Sequence, residues 1–161
     1  MNISQLRIDI PASEVRTRFD ALRINRQSLF CDIEGAAVKL EEGRIVVSCV
    51  VNPALCPRAP VSANFTLDVH PQTHVLTLKL DSVSARIEAI GLFDVDVSEY
   101  AKKKIMDAIR GAVCGKKEFT VSNCSVHIYP SMFLLTNKFL SLTSRLNVVE
   151  VNTLGITLKF F

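Results

Sequence analysis

The stretch Val61–Ile87, VSANFTLDVHPQTHVLTLKLDSVSARI, decides how the chain is read. Val61, Ala63, Phe65, Leu67 and Val69 alternate with Ser62, Asn64, Thr66 and Asp68, the period of a strand with one buried face. His70–Thr73 turns the chain, and Leu76, Leu78 and Leu80 bring it back with the same alternation. Here the parity changes. Inward positions are even-numbered up to Leu80 and odd-numbered at Val83, Ala85 and Ile87. A one-residue slip sends every later side chain to the other face, so a continuous strand requires a bulge near Asp81-Ser82.

Working outward, the same grammar extends in both directions. Upstream, Leu29, Cys31 and Ile33 alternate with Asp32 and Glu34, Gly35 interrupts, and Val38–Leu40 resumes. Glu41–Gly43 is a tight turn into Arg44–Asn52, whose near-continuous apolar run reads as a strand buried on both faces or central to its sheet. Asn52–Pro60, with three prolines, is a loop. At the start, Leu6, Ile8 and Ile10 form a short strand, and Pro11 opens a helix to about Leu22 with Ala12, Val15, Phe19 and Leu22 on a narrow face.

Downstream, Phe93, Val95 and Val97 lead into an amphipathic helix over about residues 98–114. Asp96 or Ser98 caps it, Asp96 and Glu99 have capping-box spacing, and Gly115 ends it. Its stripe is Tyr100, Ala101, Ile105, Ala108, Ile109, Ala112 and Val113. A second parity break separates Phe119 and Val121 from Cys124, Val126 and Ile128, implying a second bulge at Asn123. Ser131–Leu142 is a short apolar segment, and Leu154, Ile156, Leu158 and Phe160 mark a last strand. Residues 8–23 and 93–110 echo one another, each an alternating stretch followed by a Ser-Glu helix start and a closing Asp-Ala-Leu/Ile-Arg. The plan is strand and helix, then several strands, twice over.

The expected fold is therefore α+β, a single domain over 1–161. A long, strongly curved antiparallel sheet with β-bulges wraps around two amphipathic helices, with a meander over 27–90 and C-terminal strands over 119–161. The 161 residues are 48% hydrophobic and 22% charged, enough apolar material for a sizeable core and unlike a disordered chain. A net charge of +3, spread evenly over both halves, argues against a nucleic-acid binder. No signal peptide or membrane-spanning run is visible, and Cys31, Cys49, Cys56, Cys114 and Cys124 have no CxxC spacing. The expectation is a cytoplasmic protein with reduced core cysteines.

Catalytic signals are weak. His70 and His74 lack a third ligand at a recognised spacing, which argues against a metal site. Cys124 and His127, three apart on a strand, point to opposite faces, and Asp94 and Asp96 read as a solvated strand end. There is no phosphate loop, GxSxG or HExxH, so no enzyme and no cofactor is expected. The notable charge feature is Lys102, Lys103, Lys104, Arg110, Lys116 and Lys117 against Asp107, a surplus of +5 over sixteen residues. A solvated helix face explains it, and so does attraction to anionic headgroups.

The helix PASEVRTRFDAL (11–22), the meander over residues 43–87 and the helix SEYAKKKIMDAIRGAV (98–113) together resemble the tubular lipid-binding (TULIP) superfamily, in its small bacterial LmeA-like form. That resemblance implies an apolar groove for acyl chains between helices and curled sheet, without catalysis. Val15, Phe19, Leu22, Tyr100, Ile105 and Ile109 are the expected groove residues, with a closed core as the alternative for all six. Lys102, Lys103 and Lys104 are the expected anionic-headgroup contacts, with transient approach to an anionic membrane. A different reading is an assembly protein that self-associates through strand edges and the apolar C-terminal segment.

Overall fold

A computed structural model of the protein describes residues 6–25, 33–52, 58–88, 94–129 and 146–160. The chain runs β1 (Leu6–Pro11), α1 (Ala12–Asn25), β2 (Ile33–Glu41), β3 (Arg44–Val51), β4 (Ala59–Val69) and β5 (Leu76–Glu88). It continues with β6 (Asp94–Asp96), α2 (Ser98–Val113), β7 (Phe119–Ser122), β8 (Ser125–Ile128), β9 (Leu146–Asn152) and β10 (Gly155–Phe160). The larger sheet has the order β2-β3-β4-β5-β8-β7, with β6 paired to the far end of β5. The smaller has the order β1-β10-β9, and every pairing in both sheets is antiparallel.

The α+β class and the antiparallel meander agree with the sequence; the expected wrap does not. The sheet is neither strongly curled nor closed. Its edges β2 and β7 stay apart, and the last strands pair with β1 as a second sheet instead of prolonging the first. One physical reason lies in the two parity breaks. The first is a bulge: Asn64 pairs with Ser82 and Phe65 with Leu80, leaving Asp81 as the extra residue. The second is a hairpin, because Ser122 pairs with Ser125 across Asn123-Cys124. Asn123 adopts φ +37°, a left-handed conformation that asparagine tolerates. A turn breaks parity as a bulge does, but it reverses the chain instead of bending it.

Gly35 also does more than interrupt. It takes φ +59° where the β2–β3 register shifts between Glu34 and Ala37, so it forms a bulge within a continuing strand. Strand β3 is internal but covered on one face only: Cys49 and Val51 are buried, Ser48 is exposed and Val46 and Val50 are half-buried. Leu154, expected in the last strand, lies in the β9–β10 turn and is 83% exposed. Helix α1 is only weakly amphipathic, with Ala12 buried and Val15 and Phe19 half-buried. The segment Ser131–Leu142 and the expected strand positions Leu29 and Cys31 lie outside the described residues.

All layers cover one face of the large sheet. Val61, Ala63 and Phe65 share a buried cluster with Ala101, Ile105, Met106 and Ala108 of α2. Further along the same face, Leu67 and Val69 pack with Leu146 and Phe160 of the small sheet. The small sheet is tied in by the Gly43 N–H donating to the Val151 carbonyl at 2.8 Å. His74, at φ +58°, adds a contact of 3.0 Å between Nδ1 and the Leu146 carbonyl oxygen. Thr157, a buried residue, donates its hydroxyl to Asp9 at 2.7 Å across the β1–β10 pair. That bond and the Arg7 contact hold the Asp9 carboxyl below the usual range.

The edge of β5 changes partner along its length. Leu76–Lys79 pair with β8, Arg86–Glu88 pair with β6, and between them the Leu80 N–H donates to the Cys124 carbonyl at 2.8 Å. At Ala85 a side chain replaces a strand. The Ser98 hydroxyl accepts the Ala85 N–H at 3.0 Å and reaches the Ala85 carbonyl at 3.4 Å, while Val97 N–H donates to the same carbonyl. Val97 is the residue before α2, and Asp96 accepts the Ser98 N–H at 2.9 Å, so the cap is an Asp96 side-chain turn and not a capping box. Hydrogen bonding from the Ser98 side chain and N–H keeps the Asp96 carboxyl below its ordinary value.

Two stability predictions follow from these contacts. Ser98→Ala strands the buried Ala85 N–H and lowers unfolding free energy by about 1–2 kcal/mol, read from a urea titration. A Cβ at Gly155 would meet the Ile10 carbonyl oxygen at 2.2 Å, so Gly155→Ala forces β1 and β10 apart. Its expected cost is about 2 kcal/mol or more, whereas Leu154→Ala next door stays within about 0.5 kcal/mol in the same titration.

Candidate functional site

Helix α2 packs Ala101, Ile105, Met106 and Ala108 onto the large sheet. Near its start, Ala101 is 0% exposed and shares a cluster with Ala63 (0%) and Ala85 (1%), small side chains that let helix and strands approach closely. The packing partners of α2 are β5 and β4. From Ile105 onward the helix also borders a cavity of about 290 Å³. Helix α1 closes another side.

The cavity wall is apolar throughout. Val15 and Phe19 of α1 and Ile105, Ala108, Ile109, Ala112 and Val113 of α2 form its helical side. The sheet contributes inward positions from six strands: Ala36 and Val38 from β2, Val47 and Cys49 from β3, Phe65 from β4 and Leu78 from β5. Phe119 of β7 and Val126 and Ile128 of β8 complete it. These are the positions that alternation directs inward, so the sheet wall was available from parity alone. The sequence reading had named only helical residues.

Of the six expected groove residues, Val15, Phe19, Ile105 and Ile109 line the cavity together. Tyr100 does not, because it sits one turn earlier and donates its hydroxyl to the Asn52 carbonyl at 3.3 Å. The Leu22 side chain lies outside the described residues. The three consecutive lysines are also displaced from the lining. Lys102 borders a separate polar pocket with Asp81, Ser82, Ser98 and Glu99, Lys103 is exposed, and Lys104 lies 5.5 Å from the centre of the Tyr100 ring.

Comparison with known protein families, characterised proteins and solved structures finds no match to this chain. The chemistry must be read from the residues themselves. Cys49 is a free thiol in the cavity wall, and burial pushes it up to about 11. Of the other described cysteines, Cys114 is exposed just after α2 and Cys124 is half-buried in the β7–β8 turn. Cys31 and Cys56 lie outside the described residues.

The histidines are occupied structurally. His70 Nδ1 accepts the N–H groups of Gln72 and Thr73, capping its own turn, so it and His74 serve different partners. His127 does not face Cys124. Its Nδ1 is 3.2 Å from the Thr77 hydroxyl and its Nε2 3.3 Å from the Ser122 hydroxyl. The orienting partner is a hydroxyl, not the carboxylate of a hydrolytic triad, and the group sits across the sheet from the cavity-facing Leu78 and Val126. Asp96 is engaged at the helix cap, and the Asp94 side chain lies outside the described residues. Among the described helices, none is long and apolar enough to cross a membrane.

The raised thiol value gives a checkable outcome. At pH 8 only about one in a thousand Cys49 side chains is ionised. Alkylation followed by peptide mapping should therefore label Cys114 rapidly and leave Cys49 unmodified in the folded protein. The thiol form favours the folded state at neutral pH. That contribution declines as pH climbs from the ordinary thiol value of 9.0 through about 11, so labelling of Cys49 rises steeply across this interval.

Proposed function

We propose that the protein binds a lipid or other apolar ligand, without catalysis, in the space between α1, α2 and the large sheet. The observation that carries this reading is the apolar cavity of about 290 Å³ lined from both helices and six strands. A void of this size is costly for a core that serves packing alone, because interiors ordinarily fill their space and each unfilled volume lowers stability. Dry apolar cavities of about 150 Å³ already take up small hydrocarbons. Ligand pockets begin at about 300 Å³. The resemblance to tubular lipid-binding proteins agrees with this use, with a flatter sheet in place of a closed tube.

Lys102 and Lys103 on the outer side of α2 would draw the protein toward an anionic surface, each close cation contributing on the order of 1 kcal/mol. Self-association is the second reading. It is favoured by the edges of β2 and β7, each hydrogen-bonded on one side only among the described residues. A stable oligomer by light scattering, with no uptake of apolar probe, would favour it.

The test is to fill the space. Ala112→Phe projects a ring into the cavity from α2, and should lower the affinity for a fluorescent fatty-acid probe at least tenfold while leaving the melting temperature unchanged or higher. Undiminished binding in a folded variant would refute the cavity as the binding site.

A further inference from the structure

The dimensions of the cavity and the charges at its end narrow the ligand further, given the apolar-ligand reading above. A lining that draws on both β2 and β7 crosses the full order β2-β3-β4-β5-β8-β7, five strand spacings or about 24 Å. A volume of about 290 Å³ drawn out along that width is narrow. It is about twice the cavity that accepts a six-carbon ring, which gives room for roughly twelve carbons and none for a second chain beside the first. The wall offers no polar partner, so a headgroup has to remain outside it.

A second basic group, apart from the three consecutive lysines, adjoins the wall in the chain. The lining residues of α2 run from Ile105 to Val113, and the next lining residue in the chain is Phe119. Cys114–Glu118 bridges these two and so adjoins the lining at both of its ends. Gly115, at φ +76°, turns the backbone, and the Lys116 N–H closes the turn on the Val113 carbonyl at 3.1 Å. Lys116 and Lys117 are both exposed there, followed by the half-buried Glu118, which leaves the turn with a net positive charge. Arg110, by contrast, is committed to Asp107 and to the Asn123 carbonyl.

We propose that the ligand is a single-chain, medium-length fatty carboxylate, its chain lying in the cavity and its carboxylate held at the rim by Lys116 and Lys117. The chain supplies affinity through burial and the lysines supply preference for an anionic head. Charge-assisted contacts of this kind are stronger than neutral ones, and here they are exposed, so the preference is moderate.

Calorimetric titration of the full chain with saturated carboxylates of eight to eighteen carbons, and with dodecanol, tests both parts. Affinity should climb about fourfold per added methylene and level off at roughly twelve carbons. Laurate should bind several-fold more tightly than dodecanol. In Lys116→Glu/Lys117→Glu that preference should vanish with dodecanol binding unchanged, whereas Lys102→Glu/Lys103→Glu should keep it. Equal binding of laurate and dodecanol by the wild type would overturn the headgroup assignment. So would a preference that survives in Lys116→Glu/Lys117→Glu, the result expected if these lysines only complement the helix C-terminus. Affinity still rising at eighteen carbons, or equal uptake of two-chain phosphatidylglycerol from vesicles, would overturn the single medium chain. Each of these leaves the cavity reading standing. If neither laurate nor dodecanol binds the wild type, the cavity reading itself falls.

Discussion

Strand β5 has to find hydrogen-bond partners along thirteen residues of edge, and no single neighbour supplies them. Strand β8 takes the first part, a turn carbonyl takes Leu80, the Ser98 hydroxyl takes Ala85, and β6 takes the end. This sequence of partners is forced by the extra residue at Asp81, which displaces the later half of β5 relative to the earlier half. Because Ser98 is both the first residue of α2 and the partner of Ala85, the same constraint fixes where the helix begins. The helix is anchored where the strand is irregular.

From that anchor the rest of the site follows by geometry. Alanines at positions 63, 85 and 101 allow close approach at the start of α2, and from Ile105 to Val113 the helix borders the cavity. Covering one end of the sheet with helices and the other with a small second sheet leaves a gap that neither layer fills. Polar groups have been kept out of that gap. His70 serves its own turn, His74 reaches the Leu146 carbonyl, His127 lies on the outer face, Asp96 serves the α2 cap, and Cys49 is held as a neutral thiol.

Much of this was legible in the residues. Period-two alternation located β4 and β5, the helices fell within a few residues of where their stripes and glycine placed them, and the parity break at Asp81 marked a real bulge. The reading failed where two structures share one signature. A hairpin with a two-residue loop and a bulge both shift parity, and only the strand pairing tells Asn123-Cys124 apart from Asp81. Overall shape was likewise out of reach, because the pairing of β1 with β10 depends on contacts between distant parts of the chain. Within the site, the helical wall was named, while the strand walls, whose inward positions alternation also marks, were not assigned to it. Tyr100 belonged to the stripe yet left the cavity, since a hydroxyl follows its partner and not the average direction of its face.

The pairing of Leu6 with Phe160 also has a consequence in time. Strands β2 to β5 are a run of neighbours joined by short connections or local loops, and such local pairings form early. The small sheet is different. Its central strand β10 is made long after its edge strand β1, with eight strands and both helices between them. Until β9 and β10 emerge, Leu67, Val69 and Leu76 of the large sheet lack the Leu146 and Phe160 side chains of their cluster. The growing chain therefore carries an exposed apolar surface from the synthesis of β5 until the small sheet forms.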